Sequence, residues 1–305
     1  MRWVRGKLAG CATVCVLGGT ILPAQQAQPL EISPNDVVRQ AVAREVAAAD
    51  QTSNPHMFRS RRQTPKGSQT KLYIETKDAI AGMLIAINDR PLSAQQQQSE
   101  IDRLNWLAGN PEQLRKKHAR EKEDADRTLR IVKALPDAFR FKYAGTEVCR
   151  PDLGKAGDEL VRLEFTPNPR YSPPSKTEQV LEGMRGYLLV DTTAHRIAMI
   201  DGTLFRDVTF GWGIIGHLDK GGHFRVQQAD VGDGSWEITA MGLKITGKIL
   251  LFKGISMISD ETFGDFHSVP GDLTFSKGVD LLKSEQAKLG HNHETESAAE
   301  SKGPQ

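Results

Sequence analysis

From residue 34 onward the apolar positions follow two periods, helical at first and then mostly alternating. Ser33-Pro34-Asn35-Asp36 has helix-opening chemistry: a hydroxyl that can cap, a proline suited to the first turn and a carboxylate near the free N–H groups. Val38, Val42, Val46 and Ala49 then recur on one face, which predicts a helix over about 34–50. The alternating stretch Lys71–Lys77 predicts a strand. So does the apolar run Ala79–Asn88, which Asn88-Asp89-Arg90-Pro91 ends with turn chemistry. Residues 93–135 return to the helical period. Ile101, Leu104 and Leu107 share a face, Gly109-Asn110 breaks the chain, and Pro111 suits the start of a second helix. The middle of that helix, Arg115 to Arg127, is nearly all charged with both signs mixed. This is the pattern of a solvated helix held by i,i+4 pairs, and alternatively of a partner-binding helix.

From Phe139 to Asp265 the pattern is almost entirely β. Val161-Arg162-Leu163-Glu164-Phe165 alternates apolar with charged, and further strands are predicted at Gly186–Asp191, His195–Asp201, around Phe224 and Val226, at Ser235–Ala240 and at Lys248–Ile258. Turn residues recur about every ten positions, and no helix is long enough for a parallel crossover. The fold class expected is α+β, mainly antiparallel β: a curled meander or incomplete β-barrel with an N-terminal helix and a charged helical insert at 93–135. The β domain is expected over 28–283. Residues 284–305, polar and short of large apolar groups, are expected to be a disordered tail.

The first 24 residues read as a signal peptide. Arg2, Arg5 and Lys7 precede the uncharged run Leu8–Leu22, and Leu22-Pro23-Ala24 offers small-residue cleavage. Leu8-Ala9-Gly10-Cys11 has the form of a lipobox, but a lipobox follows its apolar run and here the run follows the cysteine. The expectation is an exported, periplasmic protein with no transmembrane span once the leader is removed. Of 40 basic residues the leader holds three, which leaves 37 against 38 acidic ones. So balanced a chain lacks the sustained basic face of a nucleic-acid binder. Cys11 and Cys15 fall in the leader, so Cys149 alone remains and the mature chain has no internal disulfide.

Candidate chemistry is sparse. Gly211-Trp212-Gly213-Ile214-Ile215-Gly216 fits G-x-G-x-x-G, but dinucleotide binding needs a helix to follow, and Lys220-Gly221-Gly222 comes too soon. The segment reads as a glycine-rich connection between strands, or as an apolar lip in which Trp212, Ile214 and Ile215 touch lipid or a partner. His291-Asn292-His293-Glu294 lacks a third ordered metal ligand. Asp260, Glu261, Asp265 and His267 form an acidic cluster that reads as solvated. No G-x-S-x-G, H-E-x-x-H or Walker loop occurs. Neither an enzyme, a cofactor nor a metal site is expected.

Arg185-Gly186-Tyr187-Leu188-Leu189-Val190-Asp191, a short turn and Arg196-Ile197-Ala198-Met199-Ile200-Asp201 resemble the central hairpin of the outer-membrane lipoprotein-sorting (LolA-like) proteins. Lys220-Gly221-Gly222-His223-Phe224 and Ser235-Trp236-Glu237-Ile238 resemble the strands that follow it, and the likeness covers about residues 145–265. The resemblance implies an unclosed barrel with helices across its mouth and a concave apolar face that shelters acyl chains. It departs from that family in its longer charged insert. Groove-lining candidates are Leu72, Ile74, Val161, Leu163, Phe165, Leu189, Ile197, Met199, Phe224, Val226 and Leu251, each of which could equally be plain core. The function expected is a carrier or binder of lipid or lipoprotein acyl chains. An envelope sensor or protein-interaction module on the same scaffold is the alternative, and an envelope hydrolase a further one.

Overall fold

A computed structural model of the chain describes residues 32–50, 54–210, 216–232, 234–249 and 253–300, with side chains as far as residue 289. The chain divides into Met1–Ile32 and Ser33–Gln305, and the described elements belong to the second unit. The expected signal peptide lies outside the described residues.

Helix α1 (Pro34–Asp50) precedes β1 (His56–Thr64), β2 (Gly67–Ile74), β3 (Ala81–Ile87) and the two-residue β4 (Arg90–Pro91). Helices α2 (Ala94–Ala108) and α3 (Pro111–Ala138) follow. Then come β5 (Phe139–Val148), β6 (Glu159–Pro167), the single turn α4 (Lys176–Gln179), β7 (Met184–Asp191) and β8 (Arg196–Leu204). The short β9 (Val208–Phe210) and β10 (Gly216–Leu218) lead to β11 (His223–Asp230), β12 (Trp236–Ile249), β13 (Lys253–Ser268) and α5 (Phe275–Glu300).

The helix starts obey their local chemistry. Ser33 caps α1 through the Asp36 N–H, at 3.2 Å. Ser93 and Gln96 form a reciprocal capping box on α2, and Pro111 sits in the first turn of α3. Between β3 and β4, Asn88 (φ 50°) and Asp89 (φ 59°) both take the left-handed conformation that a two-residue hairpin turn requires.

Among the described residues thirteen strands join one antiparallel sheet in the order β4-β3-β2-β1-β13-β12-β11-β8-β7-β6-β5, with β9 and β10 branching from β12. From β5 onward, successive strands pair with their predecessors, apart from the β9–β10 excursion. Pairing of β1 with β13, Ser60 opposite Phe263, then attaches the N-terminal hairpins to the end of the meander. Edges β4 and β5 do not meet, so the barrel stays open. Helix α3 shows how far the sheet curls. Its Glu121 accepts the Ile80 N–H just before β3 at 3.2 Å, and the same helix runs directly into β5 at Phe139. Eighteen helical residues span about 27 Å, whereas nine strand-to-strand steps laid flat would span about 43 Å. The sheet bends to fit, and α3 crosses its mouth.

Three apolar clusters hold the unit. Val37, Val38, Ala41 and Val42 of α1 and Leu135 and Ala138 of α3 bury one face of β5–β8 against Phe139, Phe141, Leu163, Phe165, Leu188, Val190 and Ile197. On the opposite face of β1–β3, Leu104 of α2 and Phe275, Val279 and Leu282 of α5 pack on Leu72, Ile74, Ala81 and Met83. A third cluster gathers Cys149, Leu153, Leu160, Leu189, Ala198 and Met199 under the β5–β6 loop. Cys149 is buried and free of any disulfide, and burial pushes its thiol pKa up. Helix α2 covers the edge of β3: Glu100 accepts the Leu84 N–H at 2.8 Å, and Arg103 donates to the Gly82 carbonyl at 2.7 Å.

One expectation is corrected. Residues 284–300, expected as part of a disordered tail, continue α5. Packing of Phe275, Val279 and Leu282 supplies the nucleus that a polar helix lacks by itself, and the following Glu, Gln, Ala and Lys propagate it. Helix α3 also runs past 135 to Ala138, where the Pro136 carbonyl accepts from Asn35 Nδ2 at 3.1 Å. Among the described residues no helix is long and apolar enough to cross a membrane.

Candidate functional site

Residues directly opposite across a ladder share a face, so the register identifies the inner surface. Ile200 of β8 packs on the cluster under α1. Opposite Ile200 lies Val226, opposite Val226 lies Met241, and opposite Met241 lies Glu261. In the next row Gly202, Phe224, Leu243 and Ser259 follow one another, and beyond it Ile245 faces Met257. Phe58 of β1 continues the same face. Its ring stacks on Tyr73 at 5.4 Å and on Phe266 at 5.4 Å, and lies 6.2 Å from Phe263. This surface runs across β11, β12, β13 and β1 inside the curl, apolar on β11 and β12 and interrupted on β13 and β1 by Ser259, Glu261, Ser60 and Arg62. Phe224, Val226, Met241, Leu243, Ile245, Phe58 and Phe263 are half-buried, and Met257 is 49% exposed.

Helix α3 crosses the mouth above this surface without resting on it. Its ends pack, through Leu114 at one and Leu135 at the other. Between them Lys122 to Thr128 is exposed on every side. A polar turn with no tertiary partner needs its own ties. The i,i+4 pairs Lys122–Asp126 and Glu123–Arg127 supply them, and Glu112–Lys116 and Lys117–Glu121 do the same in the preceding turns. The mixed-sign run is thus the solvated helix its spacing predicts.

The sequence-derived lining residues do not come together in one groove. Leu163, Phe165 and Ile197 are core beneath α1, with Val161 half-buried beside them. Leu189 and Met199 belong to the cluster on the outer face, and Leu72 and Ile74 to the one under α5. Among the described candidates, Phe224 and Val226 alone lie on the uncovered inner surface. Alternation marks a buried side of each strand, but the two ends of this sheet bury opposite sides. Leu251, Trp212, Ile214 and Ile215 lie outside the described residues. Phe210 and Gly216, which flank the glycine-rich segment, pair as antiparallel strands. Asp260, Asp265 and His267 are exposed, Asp265 pairs with Arg59 at 2.8 Å, and Glu261 accepts from Ser60. Among the described residues no group of three or more His, Cys, Asp or Glu could hold a metal ion.

A polar network lies at one end of the inner surface, built from residues that share no local sequence signal. Its members are scattered over α1, β1, the residue that follows β2, β8 and β12. The Arg196 guanidinium binds the Glu45 carboxylate through both oxygens, Nε–Oε1 at 2.9 Å and Nη2–Oε2 at 3.0 Å, and lies 5.2 Å from the Trp236 ring centre. His56 Nδ1 lies 3.3 Å from Glu237 Oε1, and the His56 backbone N–H donates to Glu75 Oε2 at 2.9 Å. Burial first, and then the charge of Glu75, push the Glu237 carboxyl up to about 7, against the opposing pull of His56 and Arg196. Folding therefore favours protonated Glu237, a contribution present below the ordinary carboxylate pKa and lost as pH rises towards 7. Glu237→Gln removes that dependence. Thermal unfolding followed by circular dichroism at pH 5 and pH 8 is expected to show the variant gaining about 2 kcal/mol over the parent at pH 8 and little at pH 5. The same difference at both pH values would contradict this assignment.

On the outer face, β1, β3, β13, α2 and α5 enclose a cavity of about 690 Å³. Its apolar lining includes Ile85, Ala86, Pro91, Phe263 and Leu289, while the pairs Arg59–Asp265 and Arg61–Asp89, at 2.8 and 2.7 Å, are each neutralised along it.

No protein-family model matches the chain, and no curated protein matches it. A solved structure of a DUF1329 family protein from Desulfovibrio piger aligns over 78% of this chain and 93% of that one, at 10% identity and a TM-score of 0.27. A likeness of that size carries no argument about fold or function.

Proposed function

We propose that the protein is exported and binds the acyl chains of lipid or lipoprotein on the inner surface of its curled sheet. The observation that carries this reading is the apolar patch Phe224, Val226, Met241, Leu243, Ile245 and Met257, with Phe58 beyond Glu261 and Ser60 on the same face, left half-exposed where both ends of the same sheet are sealed by helices. Contiguous exposed apolar area is uncommon on a protein without a partner for it. Each methylene moved from water onto such a surface gains roughly 0.8 kcal/mol, so a handful of methylenes gives useful affinity. Methionines at positions 241 and 257 adapt to chains of different shape. The leader-like segment at 1–24 supports the address.

Leu243→Glu puts a charge in the middle of this surface. It is expected to weaken binding of a fluorescent fatty acid at least tenfold, while Lys244→Glu, on the opposite face of the same strand, leaves binding unchanged. Extraction and mass spectrometry of protein purified from the cell envelope should recover lipid. If neither lipid nor probe binds the unmutated chain, the reading is wrong.

The exposed middle of α3 favours a second reading, a docking strut for a protein partner. Alanine at Lys122, Glu123, Asp126 and Arg127 would then abolish partner capture and leave fatty-acid binding intact.

A further inference from the structure

We propose that the inner surface ends in an anion site, built by β2, α2 and α3, that seats the phosphate or carboxylate of an amphiphile. The choice of an amphiphile rests on the acyl-binding reading; the anion site itself does not. A cavity of about 330 Å³ lies where the β3 edge meets α2 and α3, and Lys71, Tyr73, Arg103, Leu107 and Lys117 are among the residues lining it. That volume is at the lower end of the range for small-ligand sites.

Three cations and one carboxylate, Glu100, line the cavity. The nearby carboxylates are committed, including Glu261, whose charge reaches Tyr73 and which accepts from Ser60, opposite Lys71. Glu100 accepts from Leu84 N–H and, through both oxygens, from Arg103 at 2.9 and 2.7 Å. Glu121 holds Lys117 Nζ at 2.5 Å and the Ile80 N–H. Lys71 is different. Among the described residues no carboxylate lies within ion-pair distance of its ammonium, although its field reaches Glu100. It is half-buried and faces the cavity. A cation in that position offers three donors to an incoming anion.

Tyr73 links the two surfaces. Its ring stacks on Phe58, and the residue also lines the cavity. Gly82 makes this possible: a Cβ there would stand 2.6 Å from the Tyr73 ring. A chain lying across Phe58 thus leads its polar end past Tyr73 to Lys71.

The test compares dodecyl phosphate with dodecanol by displacement of a fluorescent fatty acid from the full-length protein. Inorganic phosphate is scored separately by its protection of Lys71 against amine acetylation. The expected result is at least tenfold tighter binding of dodecyl phosphate, a preference lost in Lys71→Met and kept in Lys71→Arg, with dodecanol binding equal in all three. Protection of Lys71 by phosphate supports the site even if neither amphiphile binds, in which case only the acyl-binding reading fails. Equal affinity for the two amphiphiles together with an unprotected Lys71 overturns the anion site and leaves the acyl-binding reading standing. A preference for dodecyl phosphate that survives in Lys71→Met also overturns it.

Discussion

Gly186→Ala is expected to destabilise the protein by about 3 kcal/mol, the upper range for forcing extra volume into a packed interior. Gly186 sits in the middle of β7, opposite Phe165 on one side and Gly202 on the other. A Cβ there would lie 1.9 Å from the Asp201 carbonyl oxygen and 2.9 Å from the Gly202 Cα. Both are backbone atoms of β8, so relief requires the two strands to separate. That breaks the ladder supporting the cluster beneath α1. Neighbouring glycines make the comparison sharp. A Cβ at Gly202 meets the far end of the Met184 side chain at 2.5 Å, which can swing aside, so Gly202→Ala should cost about 1 kcal/mol. At Gly264 nothing lies within 4 Å, and alanine there should stay within about 0.5 kcal/mol of the parent. Thermal unfolding of the three variants checks the order. For a domain of this size, 3 kcal/mol lowers the midpoint by roughly 6–12 °C. A Gly186→Ala variant as stable as Gly264→Ala would mean that β7 and β8 do not approach as described.

Glu45→Ala carries the second large effect, again about 3 kcal/mol, the lower end for orphaning one member of a buried ion pair. The Arg196 and Glu45 side chains are 10% and 12% exposed, and Glu45 also accepts the Ile197 N–H at 3.0 Å. Removing the carboxylate strands a guanidinium beside Trp236 and frees the start of β8 from α1. Removing both charges is a different matter. Replacement of a buried pair by apolar groups of similar size is close to neutral, so Glu45→Leu combined with Arg196→Met should recover most of the loss. Chemical denaturation of the single and double variants measures the coupling, and backbone amide exchange in α1 should quicken in Glu45→Ala alone. A loss below about 1 kcal/mol would class the pair with ordinary surface bridges.

The local elements were legible from sequence where their signals are local. Ser33-Pro34, the Gly109-Asn110-Pro111 break and the Asn88-Asp89 turn each act within a few residues, and the helices and hairpin begin or end there. Strand β1 carried no such signal. Its side chains alternate Phe58, Ser60, Arg62 on one face with Met57, Arg59, Arg61 on the other, neither consistently apolar. What makes it a strand is β13, some two hundred residues away. The polar network at Glu237 was hidden for the same reason, since His56, Glu75, Arg196 and Glu237 are unremarkable singly and meet only through the ladder order. Most of the expected lining residues proved to be core, because alternation says that a strand has an apolar side and not whether a helix already covers it.

By itself the sequence determined the class of structure: an antiparallel meander, a helix ahead of it and a solvated charged helix within it, since period, capping and i,i+4 charge spacing act over short range. Only the tertiary structure decided which apolar positions remain open. Helices α1 and α5 bury opposite faces at the two ends of the sheet, and α3 holds those ends close enough to curl the span between them. Which face of that span stays uncovered depends on contacts between residues far apart in the chain, and no local pattern records them.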